Sequence, residues 1–509
     1  MAARSWLLRA PVVLAGLALS ALGYGLAERV VPRLSDHRGF HLVTNTDEVH
    51  VPIARRPRRA VVAVIDGLRQ DDARGLRAVA RVRGAGRCVV THVGLPSVSR
   101  PVYTVLSSGV EQARTGVRNN DDTRPAPVDS IWERARAAGM RVAYRSELGW
   151  WGELFPRGFD RATVGAATED LFAAPLTEDL TLIHPVYVDD ASHDHGVRDG
   201  VTRAAVARAD RELSSLLDRV DLAQDLVVIT ADHGHRDAGG HGGPAPEVTD
   251  VLTCFGGAGV RRAAGSVRVD ARDLAPALAV LLGVPLPRHA ATREDPTALL
   301  DAVVDPAAVG PAYLADRRAR IARSLARTQG TLMSLETQGF AAQGDRAILS
   351  GVPMALGLAW LLRRAVARGD RARALGWCAG VVVAHLAVYR ALSGGLDASS
   401  LNRRWFFTRN VLVAAAVSWA LGVVLHRARG GGREALLARA GLLLAASVAA
   451  NALHVAVYGW PLGYPLPGPY LYFAPFLTST FQVTAGLAVA AIACGVNPSR
   501  PLRAVIRDG

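Results

Sequence analysis

Residues 226–243 read LVVITADHGHRDAGGHGG, and this stretch decides the fold class. Its first five residues are an unbroken aliphatic and β-branched run, which is typical of a strand buried on both faces of a parallel sheet. The run ends in Asp-His-Gly at 232–234, and a second His-Gly-Gly follows at 241–243 after a glycine-rich break. An acid and several imidazoles there are candidate ligands, because open parallel sheets bind ligands beyond the carboxyl ends of their strands.

Similar strands precede this one and alternate with helical patterns. VVAVI at 61–65 and LTLIHPVYV at 180–188 read as buried strands, and SIWERARAAG at 130–139 reads as a helix. Apolar strands separated by helices predict an α/β fold with a mostly parallel sheet covered by helices on both faces.

Polar side chains follow three of the predicted strands, and a serine-rich run lies between the first two. The candidate residues are Asp66, Ser99, Asp189, His193, Asp232, His233 and His241. Taken singly, each is ambiguous, because a polar residue after a strand is also explained as a helix cap or a turn residue. Together they offer carboxylates, imidazoles and a hydroxyl, the mixed oxygen and nitrogen set that dications such as zinc favour. Two such ions can clamp the attacking and leaving oxygens of a phosphoryl transfer.

These motifs resemble the alkaline phosphatase superfamily, and within it the type I phosphodiesterase and nucleotide pyrophosphatase group, over roughly residues 60–290. The resemblance implies an alkaline-phosphatase-like fold and two divalent metal ions, with Zn²⁺ expected and Mn²⁺ or Mg²⁺ as alternatives. It implies Ser99 as the catalytic nucleophile. The ligands that it implies are Asp66, Ser99, Asp232 and His233 for one metal, and Asp189, His193 and His241 for the other.

The sequence departs from this family at two positions. Ser192 stands where the family has glycine before the histidine, and Val102 stands where it has an asparagine that holds the transferred group. Asn119 or Asn120 is a candidate replacement, and we expect Asn120 to contact substrate.

Three further polar side chains lie near these motifs. We expect Arg100 to contact substrate phosphate, with a solvated arginine as the alternative. His195 and His235 are expected to lie behind the ligands or at the surface.

The nucleophile motif PSVSRP (96–101) narrows the resemblance to the GPI ethanolamine-phosphate transferases. Those enzymes also have an N-terminal anchor, an exoplasmic catalytic domain and a multi-span C-terminal region. A sulfatase is disfavoured, because the run SRPVY (99–103) lacks the arginine of the sulfatase motif.

Apolar runs predict six membrane spans. One lies at 11–27, as an uncleaved anchor or a cleaved signal peptide, with the anchor favoured. The other five lie near 347–362, 374–392, 410–425, 440–458 and 471–494. We expect an integral membrane protein of the plasma membrane. Because alternate connections are rich in arginine, the positive-inside rule predicts that both termini are cytoplasmic and that residues 28–346 lie outside. Buried soluble helices are the alternative for the shorter runs.

The bulk composition is less informative about function than these motifs. All 59 basic residues are arginine, which reads as compositional bias, and without basic-aromatic motifs we expect no nucleic-acid partner despite the net charge of +14. The four cysteines are scattered, and a Cys88–Cys254 disulfide is a possibility that the sequence leaves open.

The predicted organisation therefore has five parts. These are an anchor (1–33), an extracytoplasmic catalytic domain (50–292), a linker with a juxtamembrane helix (293–346), a five-helix membrane domain (347–496) and a cytoplasmic tail (497–509). The predicted function is metal-dependent hydrolysis or transfer of a phosphate ester, with lipid or glycolipid substrates included. The alternatives are a sulfatase or phosphomonoesterase of the same superfamily, and a catalytically inactive membrane binding protein.

Overall fold

The computed structural model describes residues 2–34, 42, 44, 49–165, 168–290, 297–401, 404–458 and 469–494. The predicted tail at 497–509 and most of the uncharged connection at 459–470 lie outside these residues. The chain divides into two compact units. Unit 1 comprises Met1–Leu34, Gln338–Leu396 and Arg404–Gly509, and unit 2 comprises Ser35–Thr337 and Asp397–Arg403.

Unit 2 is built on one eight-stranded sheet. The strands are β1 (Ala60–Val64), β2 (Gly86–His92), β3 (Val142–Ser146), β4 (Arg161–Val164), β5 (Leu180–His184), β6 (Leu226–Thr230), β7 (Asp250–Gly257) and β8 (Arg268–Asp270). Their order in the sheet is β4-β3-β5-β1-β6-β7-β2-β8. Every pairing is parallel except those of β7 with β6 and with β2, so β7 alone runs against the other strands. The prediction of a mostly parallel sheet is confirmed.

Helices connect the strands. Those that begin in unit 2 or before it are α1 (Ala2–Leu34), α2 (Gln70–Arg74), α3 (Arg77–Gly84), α4 (Ser99–Ser108), α5 (Gln112–Thr115), α6 (Ile131–Ala137), α7 (Trp150–Leu154), α8 (Thr168–Ala173), α9 (Tyr187–His195), α10 (Gly200–Leu217), α11 (Pro246–Thr249), α12 (Leu274–Leu282), α13 (Ala298–Val303), α14 (Pro306–Val309) and α15 (Pro311–Ala365). Short 3₁₀ segments span Ala271–Asp273, Arg368–Asp370 and Ala398–Leu401.

The core of unit 2 is the apolar interior of this sheet. All five residues of β1, of β5 and of β6 are buried. This explains why their sequences are continuous apolar runs, since helices cover a parallel sheet on both faces. The predicted helix at 130–139 forms as α6 and begins with a capping box, in which Ser130 and Glu133 each accept a hydrogen bond from the other's backbone N–H.

One predicted strand was too long. The run at 180–188 was expected to be extended throughout, but β5 ends at His184 and α9 begins at Tyr187. Pro185 follows the strand directly, has no N–H to continue the ladder, and is a typical strand terminator. Asp189 and His193 therefore lie one turn apart in α9 instead of on an extended strand.

Strands β2 and β7 are joined by a disulfide bond. Cys88 and Cys254 are directly opposite in the register of this antiparallel pair, and their sulfurs are bonded. The disulfide that the sequence left open is therefore present.

Unit 1 consists of long apolar helices. Besides α1 and the end of α15, it contains α16 (Arg371–Ser393), α17 (Arg404–Ala428), α18 (Arg433–Tyr458) and α19 (Pro469–Cys494). Among the described residues, six helices are long and apolar enough to cross a membrane. Each predicted span falls inside one of them. Helix α1 packs on α19, where Ser20 donates a hydrogen bond to the carbonyl of Val483 at 3.1 Å.

Candidate active site

The candidate residues come from the carboxyl ends of three neighbouring strands in the centre of the sheet. Asp66 follows β1, Asp189 lies in the helix after β5, and Asp232 follows β6. Because β1 lies between β5 and β6 and all three are parallel, their carboxyl ends meet at the same edge. Ser99 is the first residue of α4, the helix that follows β2, which runs in the same direction.

Asp66, Asp232 and His233 form the first group, and all three are buried. His233 Nε2 lies 3.5 Å from Asp66 Oδ1 and 3.2 Å from Asp232 Oδ2. Its Nδ1 lies 3.2 Å from the carbonyl of Gly234, and the tautomer that donates to this carbonyl carries its proton on Nδ1 and leaves the lone pair of Nε2 facing the carboxylates. Such an arrangement of two oxygens and one nitrogen can hold a cation.

The second group contains Asp189, His193, His235 and His241, and it offers two sets that could hold a cation: Asp189 with His193 and His235, and Asp189 with His241 and His233 of the first group. Asp189 Oδ2 lies 3.4 Å from His193 Nε2, and Asp189 Oδ1 lies 2.7 Å from His235 Nε2 and 3.8 Å from His241 Nε2. The Nε2 atoms of His193 and His241 are 3.0 Å apart. The two groups adjoin, since the rings of His233 and His241 stack with their centroids 3.7 Å apart.

The glycine after Asp66 is required by this crowding. Gly67 has φ +71°, and a Cβ there would lie 2.8 Å from His235 Nε2 and 2.9 Å from Asp189 Cα. Its N–H also donates to Asp232 Oδ1 at 3.2 Å. A side chain at 67 would therefore push the two groups apart.

Three carboxylates in one buried site disturb each other's ionisation. Burial, then the charges of Asp66 and Asp189, raise the pKa of Asp232 well above its ordinary value. Burial also opposes ionisation of Asp66, but the hydrogen bond from His184 and the charge of His233 bring the pKa of Asp66 below its ordinary value. The site thus has an excess of acidic groups that a cation would relieve.

Burial disfavours the charged form of three of the imidazoles, His233, His235 and His241. Burial, followed by the charge of His233, lowers the pKa of His241 well below its ordinary value. Burial and then His193 do the same for the pKa of His235, and burial lowers the pKa of His233. A neutral imidazole keeps a lone pair for a cation.

Two buried oxygens test whether a cation fits. Asp66 Oδ1 and Asp232 Oδ2 have no hydrogen-bond partner among the described residues, although buried carboxylate oxygens almost always have one. Both face His233 Nε2 across the first group. The residues present therefore fit a dication in the first group, and the carboxylate and imidazoles of the second group fit another.

Ser99 lies against the first group. Its Oγ is 3.2 Å from His233 Nε2, and the amide of Asn120 donates to the same Oγ at 3.4 Å. Asn120 Oδ1 also accepts from the backbone N–H of Arg100 at 3.0 Å. Of the two asparagines considered as replacements, Asn120 is the one whose side chain reaches Ser99, whereas Asn119 Oδ1 accepts from the N–H of Asp121.

The three further polar side chains, Arg100, His195 and His235, take different positions. Arg100 is buried, and its guanidinium donates to the carbonyl of Asp122, pairs with Glu153 and stacks over Trp150. These contacts occupy two of its three nitrogens. His195 is exposed at the end of α9. Of the two positions expected for His235, the surface is wrong, because the residue is buried with its Nε2 2.7 Å from Asp189 Oδ1.

Tyr103 and His184 also belong to the site, although they are not among the residues predicted from the sequence. The hydroxyl of Tyr103 donates to Asp66 Oδ2 at 2.6 Å and lies 2.8 Å from His184 Nε2. His184 Nδ1 lies in turn 2.9 Å from Ser146 Oγ. The available signal was position: His184 is a polar residue at the end of an apolar strand, and Tyr103 lies four residues after Ser99, on the same face of a helix.

Comparison with known proteins bears on this site. Residues 125–242 match the family model described as type I phosphodiesterase / nucleotide pyrophosphatase. The predicted resemblance is confirmed. The match includes all of the second group and Asp232 and His233, and it ends before β7.

Two curated relatives are GPI ethanolamine phosphate transferases. The chain is 24% identical to the human GPI ethanolamine phosphate transferase 2 catalytic subunit over 266 residues, which are 45% of this chain and 27% of that protein. It is 23% identical to GPI ethanolamine phosphate transferase 1 of Yarrowia lipolytica over 210 residues, which are 34% of this chain and 22% of that protein. The chain thus spans about a quarter of each relative.

Solved structures were matched at lower identity. Murine ectonucleotide pyrophosphatase / phosphodiesterase 5 is 12% identical with a TM-score of 0.41, covering 48% of this chain and all of that one (100%). A 2-O GAG sulfatase is 17% identical with a TM-score of 0.39, covering 46% of this chain and 72% of that one.

Proposed function

We propose that the chain is a membrane-anchored, two-metal phosphoryl-transfer enzyme in which Ser99 is the nucleophile. The observation that carries the proposal is the pair of carboxylate and imidazole groups beside Ser99 Oγ, in which two buried carboxylate oxygens have no hydrogen-bond partner in the part of the chain that the structure describes. The family match and the two transferase relatives support a phosphate ester as the substrate. When bound, two dications, with Zn²⁺ as first choice, would stabilise charge on the attacking and leaving oxygens.

The residues of the chain prepare this displacement. We assign Asp66, Asp232 and His233, beside Ser99, to one cation. We assign Asp189, His193 and His241 to the other, because their neighbouring side-chain atoms lie 3.0–3.8 Å apart. Ser99 Oγ attacks phosphorus, the bond from phosphorus to the leaving oxygen breaks, and a phosphoserine forms. Water or an acceptor alcohol then displaces Ser99 from phosphorus. We assign the Asn120 amide as a donor to the transferred phosphate, and its distance of 3.4 Å from Ser99 Oγ supports this assignment.

The substrate that we propose is a lipid-linked or glycolipid phosphate ester of the ethanolamine-phosphate type. Its support is the ethanolamine phosphate transferase activity for which the two relatives are named, together with the six apolar helices of the described chain. We further propose that α1 is a retained anchor, supported by the hydrogen bonds and close packing between α1 and α19.

We place the catalytic unit on the extracytoplasmic side of the plasma membrane. The Cys88–Cys254 disulfide supports this side, because such bonds persist in oxidising compartments. The arginine-rich connections support the same orientation through the positive-inside rule.

The test uses the full chain purified in detergent with its metal content measured. It is assayed with a chromogenic phosphodiester, a phosphomonoester and a sulfate ester. We expect the diester to be cleaved, and Ser99→Ala to lower kcat/KM by about a thousandfold or more while metal content stays the same. Ser108→Ala is the matched control, because Ser108 is a buried serine at the other end of α4 and should leave kcat/KM unchanged.

Two outcomes would contradict the proposal. A fully active Ser99→Ala variant would exclude the covalent route, and cleavage of the sulfate ester alone would identify a sulfatase instead. Adding an acceptor alcohol to the diester assay separates the remaining alternatives, since a transferase forms a new ester and a hydrolase releases the phosphoryl group to water.

A further inference from the structure

A short segment between two of the membrane-type helices folds with the catalytic unit. Residues Asp397–Arg403 lie between α16 and α17 in the sequence, yet they belong to unit 2 with the sheet. The described part of this segment begins at Asp397 and continues through the 3₁₀ turn Ala398–Leu401. Its contacts are with residues 236–243, a loop that follows β6 and carries His241.

Asp397 is the centre of these contacts. Its side chain is 1% exposed, and Oδ2 accepts from Arg236 Nη2 at 2.5 Å. Its Oδ1 accepts from the N–H of Ser399 at 2.9 Å, so the same carboxylate orders its own turn and binds the loop. The ion pair of Asp397 and Arg236 holds a fixed geometry, because removal of either side chain leaves the other charge without its counterion.

Ser399 makes the second contact. Its buried Oγ accepts from the backbone N–H of Gly243 at 2.9 Å. On the other side of the loop, Ser97 Oγ donates to the carbonyl of Gly243 at 2.9 Å and accepts from the N–H of Gly242 at 3.1 Å. The two glycines after His241 are thus held between Ser399 and a serine two residues before the nucleophile.

The fit at Gly243 leaves no space for a side chain. A Cβ there would lie 1.9 Å from Asp397 Oδ1 and 2.6 Å from Ser399 Oγ. His241 itself is oriented by this arrangement, since its Nδ1 lies 3.0 Å from the carbonyl of Ser97 and its Nε2 points to His193.

We propose that Asp397 and Ser399 are positioning residues of the active site, which fix the loop 236–243 and thereby hold His241 in the second group. The inference rests on the proposed function, because it assigns these residues to the second metal of that enzyme. It extends the active site to a connection of the membrane domain, more than 150 residues beyond His241 in the sequence. The predicted topology is compatible, since this connection lies on the same side of the membrane as the catalytic unit.

The test compares Asp397→Ala and Ser399→Ala with the parent, each as the full chain in detergent. Metal content, metal affinity and the absorption spectrum of the Co²⁺-substituted protein are measured. We expect the affinity of the second site to fall by about 10–100-fold, with its Co²⁺ bands altered and the first site unchanged. Ser399→Thr retains the hydroxyl and should restore parental affinity, which a general loss of stability would not do.

A matched control lies in the preceding connection. Asp370→Ala removes an aspartate that is half exposed and pairs with Arg373 within its own turn, so it should leave both metal sites and their spectra unchanged. Hydrogen exchange of residues 236–243 provides a readout that needs no metal. We expect faster exchange there in Asp397→Ala and Ser399→Ala, and parental exchange in Asp370→Ala.

The outcomes separate this inference from the proposed function. Parental exchange at 236–243 together with parental second-site affinity in both alanine variants would overturn the inference and leave the enzyme proposal standing. A parent protein that binds no metal and cleaves no ester would overturn the proposed function, and with it the role of these residues at a metal site, whatever the exchange result. If Asp397→Ala fails to fold, the Ser399→Ala and Ser399→Thr pair decides, because it removes one hydrogen bond and no charge.

Discussion

At the scale of single residues, Asp66 shows how one carboxylate is divided between support and ligand. Its Oδ2 accepts from the Tyr103 hydroxyl at 2.6 Å and lies 3.2 Å from His184 Nε2, whereas its Oδ1 is without a partner among the described residues. Fixing one oxygen orients the other, as second-layer hydrogen bonds do in metal sites generally. Tyr103 therefore has a role in the site although its own oxygen is on the far side of Asp66.

The change Tyr103→Phe tests this role. We expect metal affinity of the first group to fall by about 10–100-fold, because Asp66 loses the donor that orients it. The fold should persist, since the ring still stacks on Trp151 with centroids 4.3 Å apart. Metal content after dialysis against a graded chelator gives the measurement. Tyr144→Phe, a buried tyrosine on β3 outside the groups, is the control and should match the parent. Equal retention in both variants would contradict the assignment.

How much of the site the sequence could predict follows from the same residues. Asp66, Asp189 and Asp232 were found because parallel strands end at one edge, and that rule needs only the strand positions. Tyr103 and His184 were missed because their roles depend on a contact between α4 and β5, which no local pattern encodes. Ser399 was equally invisible, since its partner Gly243 is 156 positions away.

At the scale of secondary-structure elements, one aspartate holds the starts of the two central strands together. Asp225 precedes β6, is 1% exposed, and accepts from Arg58 at 2.8 Å and from Arg59 at 3.0 Å, just before β1. Burial alone would raise the pKa of Asp225, but the hydrogen bonds from the two arginines outweigh it and bring the pKa below its ordinary value. This ion cluster lies at the edge of the sheet opposite the active site.

The change Asp225→Asn should lower the free energy of unfolding by about 1–3 kcal/mol at neutral pH. Since the pKa of Asp225 is lowered on folding, its contribution is complete above the ordinary carboxyl pKa and is lost as pH falls through the lowered value. The thermal midpoints of parent and variant should therefore converge in acid. Midpoints measured across a pH series check this, and a constant difference down to strongly acidic pH would show that the effect is not ionic.

The elements themselves were largely predictable, with one instructive exception. The run at 226–230 matches β6 residue for residue, with Asp225 directly before its apolar sequence and Ala231-Asp232 after it. The run at 180–188 does not match a single element, because its apolar character continues past Pro185 into α9. Periodicity over so short a stretch does not distinguish a strand from a helix.

At the scale of the whole molecule, the two units have different means of stabilisation. Unit 1 packs apolar helices with small residues at the contacts, as where Gly16 would place a Cβ 2.8 Å from the carbonyl of Gly486. Unit 2 has a covalent link, the Cys88–Cys254 disulfide, which joins two residues 166 positions apart in the sequence. The apolar runs and strand patterns of the sequence indicated the two kinds of unit, but the pairing of these two cysteines required the register of β2 and β7.

Loss of this bond should destabilise unit 2. We expect Cys254→Ala to lower the free energy of unfolding by about 2–4 kcal/mol, mainly through the greater freedom of the unfolded chain. Cys494→Ala, which removes an exposed free cysteine, is the control and should have little effect. Thermal midpoints before and after reduction supply the measurement. A parent protein whose midpoint does not respond to reductant would contradict the stabilising role.

The position of β1 in the sheet has a consequence for biosynthesis. This strand pairs with Leu180 and its neighbours on one side and with Leu226 and its neighbours on the other. The ribosome therefore makes a fully apolar strand more than a hundred residues before either partner exists, and both of its backbone edges remain open during that time. Such a nascent segment would aggregate if left uncovered. Production of this protein in cells should accordingly depend on chaperone capacity until residue 230 has emerged.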